Sequence, residues 1–118
     1  MSIELAVIGG TGVYALGELA DVESHQPVTP YGAPSGPIRV GTYAGQRVAF
    51  LARHGEGHSL PPHKINYRAN LAALKAIGAT RVLAMNTVGG ITAQCGPRVL
   101  ACPDQLVESG RAACRAGV

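Results

Sequence analysis

Three short stretches carry side chains that could jointly hold an anion. Thr11 sits in GGTG after the apolar run LAVI, and Thr87 sits in NTVGG after RVLAM. The pair Arg53-His54 follows a third apolar run, VAFLA. Glycine-rich turns at strand ends expose backbone N–H groups that can face a phosphate. Hydroxyls and a guanidinium fork complete a suitable cage for a dianion. Ligands in open α/β sheets collect at the carboxyl ends of strands, so three such ends could share one crevice.

Three kinds of phosphate compete for this reading. A triphosphate loop needs a lysine and a hydroxyl at fixed offsets after its glycines, and the first lysine after GGTG is Lys64. That reading fails. Gly10-Thr11-Gly12-Val13-Tyr14-Ala15 matches the nicotinamide-dinucleotide fingerprint. However, that fingerprint needs a helix and then a second strand ending in an acid about 20 residues on. The sequence there is YGAPSGP, with neither strand nor acid. A free phosphate used as a reagent fits the scattered cage best. His54, His58 and His63 are spaced like metal ligands, but HGEGH is broken by two glycines and cannot place two ligands on one helical face. No metal is therefore expected; the histidines suit hydrogen bonding to an anion or a sugar.

Elements that could position these residues can be read along the chain. Ile3–Ile8 is expected as a first strand, and residues 18–37 as irregular because of four prolines and two glycines. IRVGTYAGQRVAFLA reads as a hairpin turning at Ala44-Gly45. After the polar loop RHGEGHSLPPHK, a helix is predicted from about Asn66 to Ile77. Leu71, Leu74 and Ile77 form its stripe, and Gly78 its stop. TRVLAMN reads as a second buried strand, and Val99–Cys102 as a last short apolar segment. The order predicts a central sheet with helices packed on it.

Composition sets the outer bounds. The 118 residues suffice for one domain, with 47% apolar and 14% charged residues. The formal charge of +3 is scattered and gives no nucleic-acid signature. No apolar run approaches the ~20 residues of a membrane helix, and MSIELAVIGG lacks a basic leader. Cys95, Cys102 and Cys114 are an odd set without CxxC spacing, which fits reduced thiols in the cytoplasm.

Together, AVIGGTGVY, TPYGAPSGPIRVG, VAFLARHGEGHSLPPHKINYRANLAALKAIGATRVLAMNTVGGI and GPRVLACPDQL resemble the methylthioadenosine phosphorylase branch of the purine nucleoside phosphorylases. The wording is most similar to the bacterial S-methyl-5'-thioinosine phosphorylases, and it extends from about Ile3 to Leu106. The resemblance implies an α/β fold with a central mixed sheet flanked by helices, present as its N-terminal part. It implies phosphorolysis of a 5'-methylthio purine nucleoside, with inorganic phosphate as co-substrate, no cofactor, a homotrimer, and neither nucleic acid nor membrane as partner. Thr11, Arg53, His54, Thr87 and Val88 match the family's phosphate-binding residues, and His58 a histidine near phosphate and ribose.

The family's ribose-packing Met and purine-contacting Asp lie in a second half that these residues do not contain. Residues 1–106 therefore read as the N-terminal portion of such a domain. The tail, 107–118, reads as divergent, the mark of a truncation or a shifted frame, and the chain is expected to be inactive alone. A non-catalytic phosphate-binding fragment is one alternative, and a nicotinamide-dinucleotide-binding oxidoreductase or epimerase using GGTGVYA is a second, less favoured one.

Overall fold

The computed structural model describes residues 2–10 and 19–107, in two units, 1–87 and 88–118. Thr11, Cys114 and all but the first residue of the 107–118 tail lie outside the described residues.

The first unit is built on a five-stranded mixed sheet. Its strands are β1 (Leu5–Gly9), β2 (Ala20–His25), β3 (Ile38–Tyr43), β4 (Gln46–Ala52) and β5 (Arg81–Ala84), in the order β2-β3-β4-β1-β5. β1 pairs in parallel with both β4 and β5, while β2-β3-β4 is antiparallel. The β3–β4 hairpin turns at Ala44 and Gly45, both with positive φ (49° and 79°). Two successive positive-φ residues match the right-handed twist of the flanking strands, as two-residue hairpins require.

β4 is buried on both faces, which explains its unbroken apolar run VAFL. Ala49 and Leu51 join Ala6, Ile8, Ile38 and Val40 on one face, under Ala73 and Leu74 of the helix α1 (Tyr67–Ala76). Val48 and Phe50 join Val7 on the other. α1 is the one α-helix among the described residues. Asn66 caps it, its side chain accepting from Ala69 N at 3.0 Å. Gly78 (φ 97°) ends it: its N–H reaches Lys75 O and that of Ala79 reaches Leu74 O, the paired bonds of a Schellman stop.

Two helix asparagines also tether the proline-rich loop. Asn66 Nδ2 donates to Tyr31 O (2.8 Å). Asn70, 2% exposed, accepts from Ser35 N (2.8 Å) and donates to Ser35 Oγ (3.0 Å). Asn70→Ala is therefore expected to lower stability by about 1–3 kcal/mol, the cost of stranding buried polar groups. Urea unfolding checks this through a lower midpoint at unchanged slope.

Three sequence expectations need correction. Residues 20–25, assigned to an irregular stretch, form β2. This strand is mostly exposed and polar, with a register shift between Ala20 and Glu23, so no apolar alternation marks it. TRVLAMN is not a buried strand: β5 is a sheet edge, with Val82 45% and Leu83 50% exposed. The helix stripe also rotates. Ala69, Asn70, Ala73 and Leu74 are buried while Leu71 faces outward, because small residues let the helix approach the sheet closely.

The second unit, as described, is irregular chain with bends and a turn around a short 3-10 helix, Ala93–Cys95, with Ile91, Leu100 and Leu106 exposed. The apolar segment Val99–Cys102 forms no strand there. Cys95 and Cys102 are exposed thiols. No helix among the described residues is long and apolar enough to cross a membrane.

Candidate functional site

Three parallel strands end side by side, and their ends carry the chemistry. Backbone bonds run one step past the strands: Arg53 N–H donates to Gly9 O and Met85 N–H to Ile8 O, each at 2.9 Å. Arg53 after β4, Gly10 after β1 and Met85-Asn86 after β5 are thereby set in a row across the sheet. The Arg53 guanidinium spans that row. Its Nη1 donates to Asn86 Oδ1 and to Met85 O (3.3 Å), and its head lies against Gly10.

His54, the next residue, is buried, 6% exposed. Its Nδ1 donates to Leu60 O at 2.8 Å, and Leu60 N–H returns a bond to His54 O at 2.8 Å. A carbonyl can only accept, so Nδ1 carries a proton and donates it to this bond. The His58 ring stacks on His54, with centroids 4.4 Å apart and planes 16° from parallel. HGEGH folds back to make this contact. Gly55 (φ 76°), Gly57 (φ 70°) and His58 itself (φ 56°) are all left-handed. A Cβ on Gly55 would lie 2.9 Å from Ser35 O, so the loop needs glycine there. The positive φ of His58 is uncommon for a residue with a side chain, and the stack accompanies it.

Arg53, His54, His58 and Thr87 line one cavity of about 640 Å³, together with Ile8, Pro62, Tyr67, Asn70, Leu71, Ala84 and Asn86. Four of the six residues singled out in the sequence thus meet at one place. Thr11 lies outside the described residues, and Val88 is an exposed residue at the start of the second unit. Asn86 was missed: an Asn after a strand carries no signal until the arginine it holds is seen. Leu71 and Tyr67, on the helix face above, give the cavity apolar and phenolic walls.

The topology counts against a dinucleotide site. The strand after the glycine turn, β2, lies at the far edge of the sheet and pairs antiparallel with β3, rather than lying parallel beside β1. Among the described residues, no group of three His, Cys, Asp or Glu side chains is placed to hold a metal ion.

Comparison with known proteins agrees with this architecture. A "Probable S-methyl-5'-thioinosine phosphorylase" of Xanthomonas campestris is 77% identical over 107 residues, covering 91% of this chain and 43% of that protein. A "Purine nucleoside phosphorylase" of Streptomyces coelicolor is 53% identical over 108 residues, 92% of this chain and 38% of its own length. Among solved structures, a methylthioadenosine phosphorylase from an antarctic soil metagenomic library superposes with a TM-score of 0.64 at 43% identity, covering 70% of this chain and 29% of that one. The methylthioadenosine phosphorylase of Schistosoma mansoni in complex with adenine gives 0.65 at 38% identity, with 70% and 29% covered. The chain thus spans less than half the length of these relatives. The family model described as "Phosphorylase superfamily" matches residues 4–116, and a mixed sheet whose parallel strand ends gather Arg53, His54 and Thr87 is consistent with it: the chain belongs to the phosphorylase superfamily.

Proposed function

We propose that this chain carries the phosphate-binding portion of an enzyme that cleaves 5'-methylthio purine nucleosides by phosphorolysis. S-Methyl-5'-thioinosine is preferred over 5'-methylthioadenosine, in keeping with the name of the X. campestris relative. The observation that carries this reading is the placement of Arg53. A guanidinium lies across the carboxyl ends of the parallel strands, beside His54, His58 and Thr87, in a cavity large enough for a nucleoside and a phosphate.

In this reading Arg53, His54 and Thr87 hold inorganic phosphate, joined by Thr11 of the glycine turn and by Val88 after Thr87; His58 sits towards the ribose. A phosphate oxygen attacks the anomeric carbon, the glycosidic C–N bond breaks, and its electron pair leaves with the purine, which takes up a proton. Free base and 5-methylthioribose 1-phosphate result. The transition state is oxocarbenium-like, so catalysis lies in positioning the dianion beside developing positive charge. In this reading His54, its Nδ1 held by Leu60 O, meets phosphate through Nε2. No cofactor enters the reaction. Cytoplasmic location and a homotrimer belong to the same reading.

By the family resemblance, the carboxylate that assists purine departure lies outside these 118 residues. Acid assistance is worth about 10²–10⁴-fold. The chain by itself is therefore expected to bind phosphate and to release base far more slowly than a complete enzyme. Calorimetric titration with phosphate, followed by a hypoxanthine-release assay on methylthioinosine plus phosphate, tests both halves. Absence of phosphate binding sinks the site; rapid hypoxanthine release sinks the claim of inactivity.

A further inference from the structure

We infer that Gly10 and Asn86 are positioning residues whose task is to hold the Arg53 guanidinium across the end of β1. The inference rests on the phosphate reading above for its consequence, and on geometry alone for its substance.

Arg53 leaves the end of β4, but the groups that fix its head belong to β5, and β1 lies between them. The side chain must pass over the first residue after β1, which is Gly10. A Cβ there would overlap Nη2 and stand 2.8 Å from Cζ, so any side chain would push the guanidinium off this crossing. Gly10 is among the described glycines without a positive φ, so the backbone does not demand glycine; the crossing arginine does. The glycine turn that reads in the sequence as a backbone approach to phosphate thus has a second use, as a saddle for Arg53.

At the far side of the saddle, Nη1 is spent on Asn86 Oδ1 and Met85 O. The Met85 carbonyl is supplied by the backbone whatever the residue, so among the described residues Asn86 is the one side chain that anchors the head. An arginine held at one edge is pre-organised: it meets an anion without first losing its rotamer freedom. Asn86 is exposed and packs no core, so its substitution leaves the sheet in place.

The test uses the 118-residue chain with ¹⁵N-labelled arginine side chains and titration with inorganic phosphate. In the wild type, the Arg53 guanidinium signals should be dispersed by restricted rotation. Asn86→Ala and Gly10→Ala should each collapse them towards those of a free arginine. Each should also weaken phosphate about tenfold, as loss of one hydrogen bond to a charged group allows. Neither should weaken it further in an Arg53→Ala background, because both act through Arg53. Asn86→Asp should keep the dispersed signals yet weaken phosphate, since it anchors Arg53 while adding negative charge.

Unchanged Arg53 signals in Asn86→Ala overturn the inference, and so does a full additional loss in the Arg53→Ala background. If Gly10→Ala fails to fold, Asn86→Ala decides alone. If Arg53 is held as described but phosphate does not bind, the positioning stands and the phosphate reading falls.

Discussion

Arg53→Ala is expected to weaken phosphate binding by about a hundredfold while leaving the fold intact. Two charge-assisted hydrogen bonds from a guanidinium are together worth about 3 kcal/mol against an anion, which is a hundredfold in affinity. The side chain's partners among the described residues, Asn86 and the Met85 carbonyl, lie at the rim of the sheet rather than in its core, so thermal stability should hardly move. Arg53→Lys sharpens the point. Lysine keeps the charge but lacks the planar fork, and one ammonium cannot serve β5 and a ligand as two separate guanidinium nitrogens do. Lysine should therefore recover only part of the loss. Calorimetry at fixed ionic strength reads all three chains, and an alanine variant that binds within about twofold of wild type would dismiss Arg53 as the anchor.

Leu74→Ala is expected to cost about 2–5 kcal/mol, a large part of the 5–15 kcal/mol that holds an ordinary domain together. Leu74 is 1% exposed and packs with Ala6, Ile8, Leu51 and Ala73 where the helix meets the sheet. Leu71, on the same helix, is 37% exposed and lines the cavity instead. Leu71→Ala should cost well under half as much, because much of its side chain already meets solvent. Urea midpoints of the two variants separate the structure from the simple three-residue periodicity, which treats both leucines alike. Equal losses would mean that the helix is rotated from the position described.

That pair of leucines also shows how far the chain could be read in advance. Periodicity locates a helix and its ends, because Asn66, Gly78 and the alanines between them act locally. Which face is buried depends on the neighbour, and alanines facing a sheet admit closer packing than leucines. β4 was legible because burial on both faces leaves an unbroken apolar run. β2 was not, because an exposed edge strand with Asp21 at φ 51° and a register shift has no apolar code. In the site, Arg53, His54 and Thr87 could be grouped because each follows a strand. Asn86 could not, since its meaning comes entirely from an arginine 33 positions earlier in the chain. The His54–His58 stack was equally hidden: three left-handed residues in a row of five create it, and only two of them are glycines.

The central place of β1 has a consequence for the order in which the molecule assembles. The β3–β4 hairpin closes through two residues and can form as soon as it leaves the ribosome. β1 precedes the other strands in the chain, yet its partners are residues 48–52 and 81–84, and Leu5 meets Arg81 only after 76 further residues have been synthesised. Contacts that span so much chain are slow to close. The strand whose end bears Gly10 therefore waits, unpaired, while the meander beside it takes shape. Of the strands described, β1 thus pairs after the meander beside it, and the crevice at the strand ends comes into being only with that step.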